Sequence, residues 1–235
     1  MKLIHRNITR VCQENEIYED VLSLDDKHLL ELGCGKAYVS RLIAGAGENR
    51  TLVAMEVDQI QHDRNIEANE TPNIRFVLAG GENIPEEDET FDVVFMFKSL
   101  HHVPMDKMDN TINEIYRVLK PNGIAYISEP VFDGDFNEVL RLFHDEEIVR
   151  TAAFNAVKKS VDQGKFTSLD QIFFSTPRHY KNFEDFENRL IKVTHENHQL
   201  SEAHLARVRD KFSEHLSAEG ADFLTPVRVD LLQKN

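Results

Sequence analysis

Five short apolar runs, each separated from the next by a polar or amphipathic stretch, occupy residues 29–128. They read LLELGCG (29–35), TLVAMEV (51–57), IRFVL (74–78), FDVVFMF (91–97) and IAYIS (124–128). Runs of this length suit strands, and their lack of alternation is what strands covered on both faces show. The stretches between them have helical spacing. Val39, Leu42, Ile43 and Ala46 share a face over Ala37–Ala46, and Ile112, Ile115, Tyr116 and Leu119 do so over about Asp106–Leu119. A more polar helix is expected at about Gln59–Asn69, broken by Thr71, Pro72 and Asn73. Lys120-Pro121-Asn122-Gly123 reads as a turn. Alternation repeated five times predicts an α/β fold, a doubly wound, mostly parallel sheet with helices on both faces.

After residue 132 the rhythm breaks. The spacing predicts helices at about 136–162, 183–196 and 201–217, punctuated by Gly164 and Pro177. Phe223–Leu232 alternates apolar and polar residues, as a strand returning to the sheet would. The expected organisation is one domain over 1–235 with a helical insertion at about 132–218 before the last strand. Such an insertion either covers a site at the strand ends as a lid or packs against the sheet edge. Nine phenylalanines fall between residues 132 and 186. They read first as core, and as a substrate wall only if a pocket lies beneath them.

The formal charge of −14 argues against a nucleic-acid phosphate backbone as partner, because affinity there comes from clustered Lys and Arg. Lys158-Lys159 is the only adjacent basic pair. No apolar run approaches the roughly 18 residues of a membrane span, and the start lacks a secretory apolar stretch. The expectation is a cytoplasmic protein, monomeric or homodimeric, acting on a small molecule. Cys12 and Cys34 are too few for a four-sulfur cage and read as reduced thiols.

The strongest local signal is Glu31-Leu32-Gly33-Cys34-Gly35-Lys36-Ala37, a strand running into a glycine turn and then a helix. Glycines let backbone approach a ligand with no Cβ between them. Near the end of the next strand stand Glu56 and Asp58. An acid about 20 positions beyond a glycine turn can accept bonds from both ribose hydroxyls. Glu56 suits this better, because Asp58 is placed to cap the following helix.

In order along the chain, ELGCG, AMEVD, GENIPEEDETFDVVFMFKSLHHVP and LKPNG resemble the class I S-adenosylmethionine (SAM)-dependent methyltransferases. Within them they are most similar to the broad small-molecule group with an LHH segment after the fourth strand. The resemblance covers about residues 20–130. It implies a Rossmann-like fold, SAM as cofactor and methyl transfer to a small acceptor. Carried over residue by residue, Glu31 would face the ammonium of SAM. Gly33, Cys34 and Gly35 would form the turn beneath the cofactor. Glu56 would bind the ribose hydroxyls and Val57 would touch the adenine face. Residues 79–85, with Gly81 and Glu82, would form the adenine loop. Met96 and Phe97 would back the sulfonium region, unless they are simply core. Two departures stand out: Ala37 replaces the third glycine of the turn, and Gly80 replaces the usual adenine-binding Asp, a role Glu82 or a backbone carbonyl would have to fill.

An NAD(P)-dependent oxidoreductase is the rival for a glycine turn plus an acid. Its fingerprint, G-x-G-x-x-G, fails at Tyr38, which would crowd a pyrophosphate. A non-catalytic SAM-binding sensor or partner subunit is the other alternative. For catalysis His102, beside His101 after the fourth strand, is the candidate base; the acceptor atom stays open. Lys98 is expected to reach solvent along its stem. His195 and His198, with Glu196 between them and Glu202 near, have ligand spacing but read as surface residues, so no metal is expected.

Overall fold

The computed structural model describes residues 1–192 and 200–235. Five strands form the parallel half of one sheet: β1 (His28–Leu32), β2 (Thr51–Glu56), β3 (Ile74–Leu78), β4 (Phe91–Phe97) and β5 (Leu119–Pro130). The expected turn is present inside β5. Leu119 pairs with Phe91 and Ile124 with Val93, so residues 120–123 bulge out of the ladder. The last strand, β8 (Gly220–Lys234), returns antiparallel beside β5. The sheet order is β3-β2-β1-β4-β5-β8-β6, where β6 is Phe166–Tyr180, with the two-residue β7 (Leu216–Ser217) also paired to β8.

Helices cover both faces. On one side α4 (Met108–Val118) and α6 (Glu147–Asp162) pack Met108, Ile112, Ala153 and Val157 onto Leu30, Val53 and Val94. On the other, α1 (Glu14–Val21) and α2 (Tyr38–Gly45) pack Ile17, Tyr18 and Ile43 onto Leu29, Leu52 and Phe95. Neighbouring residues of one strand thus serve opposite cores, which is why the runs show no alternation. α3 (Gln59–Glu67) begins at Asp58, whose side chain accepts from the N–H groups of Ile60 and Gln61, as a cap should.

The insertion is not wholly helical. Between the expected helices lies β6 (Phe166–Tyr180), a fifteen-residue strand antiparallel to β8. The expected helix over 136–162 is two, α5 (Asp135–Leu140) and α6. The segment expected at 183–196 starts as α7 (Phe183–Phe186), continues as one π-turn over Glu187–Ile191, and then leaves the described residues. The last helix is α8 (Glu202–Ser213).

The register places this insertion relative to the sheet. The final β5–β8 pair is Pro130↔Val227, while the β6–β8 ladder runs on to Tyr180↔Ala221. The paired ends of β6 and β8 therefore project past the carboxyl end of β5 as an overhanging arm. The arm has a core of its own, in which Phe136, Val139, Tyr180, Phe186, Phe212 and Phe223 pack together.

Candidate functional site

Strand order reverses at β1, with β2 on one side and β4 on the other. In sheets of this kind a crevice opens there, beyond the carboxyl ends of the strands. The glycine turn sits at that point. Gly33 and Cys34 donate to the Met55 carbonyl at 3.0 and 2.9 Å. Gly33 has φ +71°, and a Cβ on it would come 2.8 Å from the Ser99 Cβ beyond β4, so only glycine fits. Gly35 has φ +51°, yet a Cβ there would meet nothing within 4 Å. Its backbone faces open space, as a ligand-approach position requires. The third position of the turn, Ala37, is also left-handed at φ 53° and caps α2.

Glu31 lies beneath this turn, 2% exposed. Its Oε2 accepts from Ser40 Oγ at 2.5 Å, and among the described residues no cation pairs with it. Burial, assisted by Glu14 and Glu56 and opposed by the Ser40 bond, pushes its carboxyl up to about 8. Burial also pushes the Cys34 thiol up, so it is an inert wall atom.

Glu56 closes β2 with its carboxylate turned back onto the backbone. Oε2 accepts from Gly35 N at 2.7 Å, and Oε1 from Val57 N at 2.8 Å and Asp58 N at 3.0 Å. A carboxylate offers about four acceptor positions, so one remains for a ribose hydroxyl; a second would displace a backbone donor. Val57 beside it is 68% exposed, an apolar side chain with no core role. In the loop expected to meet adenine, Glu82 folds over Gly80, its Oε2 lying 2.3 Å from where a Cβ on residue 80 would be. Its carboxylate thus fills the start of the missing Asp side chain, while Lys107 holds its Oε1 at 2.8 Å. Gly81 packs on Thr111, whose Cγ2 would be 2.9 Å from an added Cβ. Met96 is 2% exposed and belongs to the core with Leu32 and Leu100. Phe97 is partly exposed and packs among Phe95, Tyr18 and Tyr126.

Beyond β4 and β5 a cavity of about 260 Å³ opens under the arm, walled by Lys98, His101, His102, Phe136 and Phe143 among others. His101 and His102 occupy a single 3₁₀ turn (Leu100–His102) with ring centroids 4.1 Å apart. Their surroundings differ. His101 is buried, with Nδ1 2.5 Å from Glu129 Oε2 and Nε2 3.5 Å from Glu146 Oε1. Burial works to lower its pKa, but the two carboxylates prevail and raise it to about 9. It is an imidazolium at neutral pH and a poor base. Glu146, although burial favours its acid form, is held well below the usual carboxylate range by His101, His144 and Arg150. His102 is the exposed member of the pair.

Lys98 does not simply reach solvent. It forms an ion pair with the buried Glu14 of α1. Neither α1 nor this pairing was legible in the sequence; the only local cue is the Gln13/Glu16 capping box ahead of Ile17 and Tyr18. Glu129, which holds His101, and Arg178, which lines the cavity, carried no motif. His195, Glu196 and His198 lie outside the described residues. A different trio, His101, His102 and Glu146, has side-chain ligand atoms within 4.8 Å of one another. Both Glu146 oxygens are already engaged, one by His144 and one by Arg150.

Residues 29–123 match the family model of a methyltransferase domain. The matched stretch runs from β1 into β5, the parallel half of the sheet that carries the glycine turn. A sterol 4-C-methyltransferase of Caenorhabditis elegans is 29% identical over 140 residues, 59% of this chain and 39% of the worm protein. The chain spans about two fifths of the length of the curated relatives it first matches. The solved structure of the YcgJ protein of Bacillus subtilis superposes with a TM-score of 0.66 at 13% identity, covering 94% of this chain and 97% of that one. The cyclase SpnF does so at 0.59 and 18% identity, covering 94% and 79%. A methyltransferase-type fold therefore also carries other chemistry, and the site must decide the function. Among the described residues no helix is long and apolar enough to cross a membrane.

Proposed function

We propose that the chain is a cytoplasmic SAM-dependent methyltransferase whose acceptor is a small molecule bound in the cavity under the arm. One observation carries the cofactor assignment. Glu31 is an acid buried at the switch point without a cationic partner among the described residues, beside a glycine turn open to a ligand. Burial favours its protonated form because an unpaired buried charge is costly, and a ligand ammonium offsets the cost of ionising it. Bound SAM supplies an electrophilic methyl group on sulfur, which an acceptor lone pair takes as the carbon–sulfur bond breaks.

The residues of the chain do the rest. Glu31 holds the ammonium, the Gly33–Gly35 turn passes beneath the cofactor, and Glu56 takes a ribose hydroxyl on its remaining acceptor position. Val57 covers one adenine face, and Glu82, poised over Gly80, accepts from the adenine amino group. Met96 supports this floor from within the core. The cavity walls keep water from the acceptor, and alignment supplies most of the rate. For an O–H or N–H acceptor His102 takes the proton, since His101 is already charged. The acidic chain makes a nucleic-acid acceptor unfavourable.

Calorimetry with SAM and its demethylated product S-adenosylhomocysteine tests the first step; absence of binding sinks the reading. Incubation of a metabolite extract with methyl-labelled SAM tests the second. Binding without transferred label would make the protein a sensor rather than an enzyme.

A further inference from the structure

The cavity under the arm has an electrostatic character opposite to that of the whole chain. Besides the His101 ring, which Glu129 and Glu146 hold, four cationic side chains, Lys98, Arg150, Arg178 and Arg189, line it against two carboxylates, Asp133 and Glu146. Three of the four cations are matched. Lys98 pairs with Glu14, Arg150 with Glu146 and Arg189 with Asp185. Arg150 is saturated further by the Val131 carbonyl at 3.4 Å and Asn137 Oδ1 at 3.2 Å.

Arg178 is the remainder. No carboxylate among the described residues pairs with it. It is nonetheless oriented: Nε donates to Thr225 Oγ1 at 2.9 Å, and the guanidinium lies 4.8 Å above the Phe136 ring. Those contacts use one edge and one face of the group, the Tyr180 hydroxyl lies near it as well, and N–H groups on the terminal nitrogens remain as donors. A guanidinium fixed in this way matches the planar, two-oxygen geometry of a carboxylate.

A second, independent feature lies on the same wall. Asn137 is 4% exposed, and its Nδ2 is a buried donor with no hydrogen-bond partner among the described residues. The amide orientation is set from the other side, because Oδ1 accepts from Arg150. An orphaned donor of this kind is destabilising and is relieved by an acceptor. Arg178 and Asn137 thus both present donors to the cavity, and Asp133, which has no cation paired to it among the described residues, is the lining acid that faces them. The rest of the wall is apolar, with Phe136, Leu140, Phe143 and Leu190 around the same space.

We propose that the methyl acceptor is a small-molecule carboxylic acid with an apolar body, its carboxylate held by Arg178 with Asn137 and its body against Phe136, Leu140 and Phe143. This rests on the methyltransferase reading for the word acceptor, whereas the acid site itself is testable separately.

The test uses the full chain and saturation-transfer NMR with a defined pool of aryl- and alkyl-propanoates, the matched primary amides and the matched phosphate monoesters. S-adenosylhomocysteine is present throughout, and its own binding is measured by calorimetry on the same samples. The acids are expected to bind at least ten-fold more tightly than their amides. Arg178→Gln is expected to abolish that preference. Asn137→Asp, which keeps the acceptor for Arg150 but replaces the orphan donor with a negative oxygen, is expected to weaken acid binding at least ten-fold. Unchanged S-adenosylhomocysteine affinity in both variants shows that they are folded. Amides binding as well as acids, a preference that survives Arg178→Gln, phosphates outcompeting acids, or no binding of any acid overturns the proposal. Loss of S-adenosylhomocysteine binding by the unaltered chain would instead strike the methyltransferase reading and leave the acid preference standing.

Discussion

Glu31 and Ala37 show how far single residues in the turn depart from their ordinary states. The Glu31 carboxyl, raised to about 8 by burial, is mostly protonated in the free protein at neutral pH. Binding an ammonium selects its ionised form, so SAM affinity is expected to rise with pH up to about 8 with proton release, and then to level. Calorimetry in buffers of different ionisation enthalpy measures that release, and Glu31→Gln should bind weakly with no such slope. The same shift has a stability consequence of the opposite sense. The folded state keeps a proton that the unfolded chain loses near 4.5, so this group lowers stability as pH rises from about 4.5 to about 8. Ala37 sits at φ 53°, where glycine is unstrained. Ala37→Gly is expected to stabilise by about 1 kcal/mol in a denaturant titration, relieving the left-handed penalty. At Glu56, truncation to Ala should cost roughly 1–3 kcal/mol of SAM binding. That the turn and its acid would meet was legible from spacing. That Glu56 spends three acceptor positions on backbone was not, because backbone direction at a strand end leaves no mark in composition.

Among elements, those in the parallel half were legible because burial on both faces writes itself as uninterrupted apolar residues. β6 was not. FTSLDQIFFSTPRHY is an edge strand whose Asp170, Pro177 and Arg178 interrupt any pattern. An edge tolerates such residues because one side of its ladder is free. α1 was hidden by its acids: Glu14, Glu16, Glu19 and Asp20 surround the Ile17 and Tyr18 it buries. The 3₁₀ turn after β4 was visible as a pair of histidines, but which of them is buried against a carboxylate depends on Glu129 from β5, 28 residues away. Breaking that contact tests the assignment. In Glu129→Gln the His101 pKa is expected to fall from about 9 toward or below 6.5, since burial then outweighs the remaining carboxylate. NMR titration of the ring reads it. In the unaltered protein the stabilisation from this charge is complete below 6.5 and lost as pH rises through about 9. At pH 7 the variant should be less stable by about 3–5 kcal/mol, the usual cost of stranding one member of a buried pair.

At the level of the whole molecule the cores are of unequal kind. The two sheet-face cores are joined through strands whose neighbouring residues serve one or the other, whereas the arm relies on its separate aromatic cluster. Phe212→Ala is expected to remove about 3–5 kcal/mol of packing from the arm. Hydrogen exchange should then quicken in α8 and in the Tyr180 end of β6 while β1 and β2 keep their protection. Uniform loss of protection would show one cooperative unit instead.

The order in which the sheet is threaded also bears on how the protein is made. β6 is translated before β8, yet β8 is the strand that ties it to β5. On the ribosome the parallel strands can assemble while the residues carrying Arg178 still lack their ladder to β8, β6 being held by its bridge to Val11 and the packing of Phe166 and Phe174. The crevice for the cofactor is therefore within reach of a nascent chain, whereas the chamber beside it exists only once residues 220–234 have emerged and slid between their two neighbours.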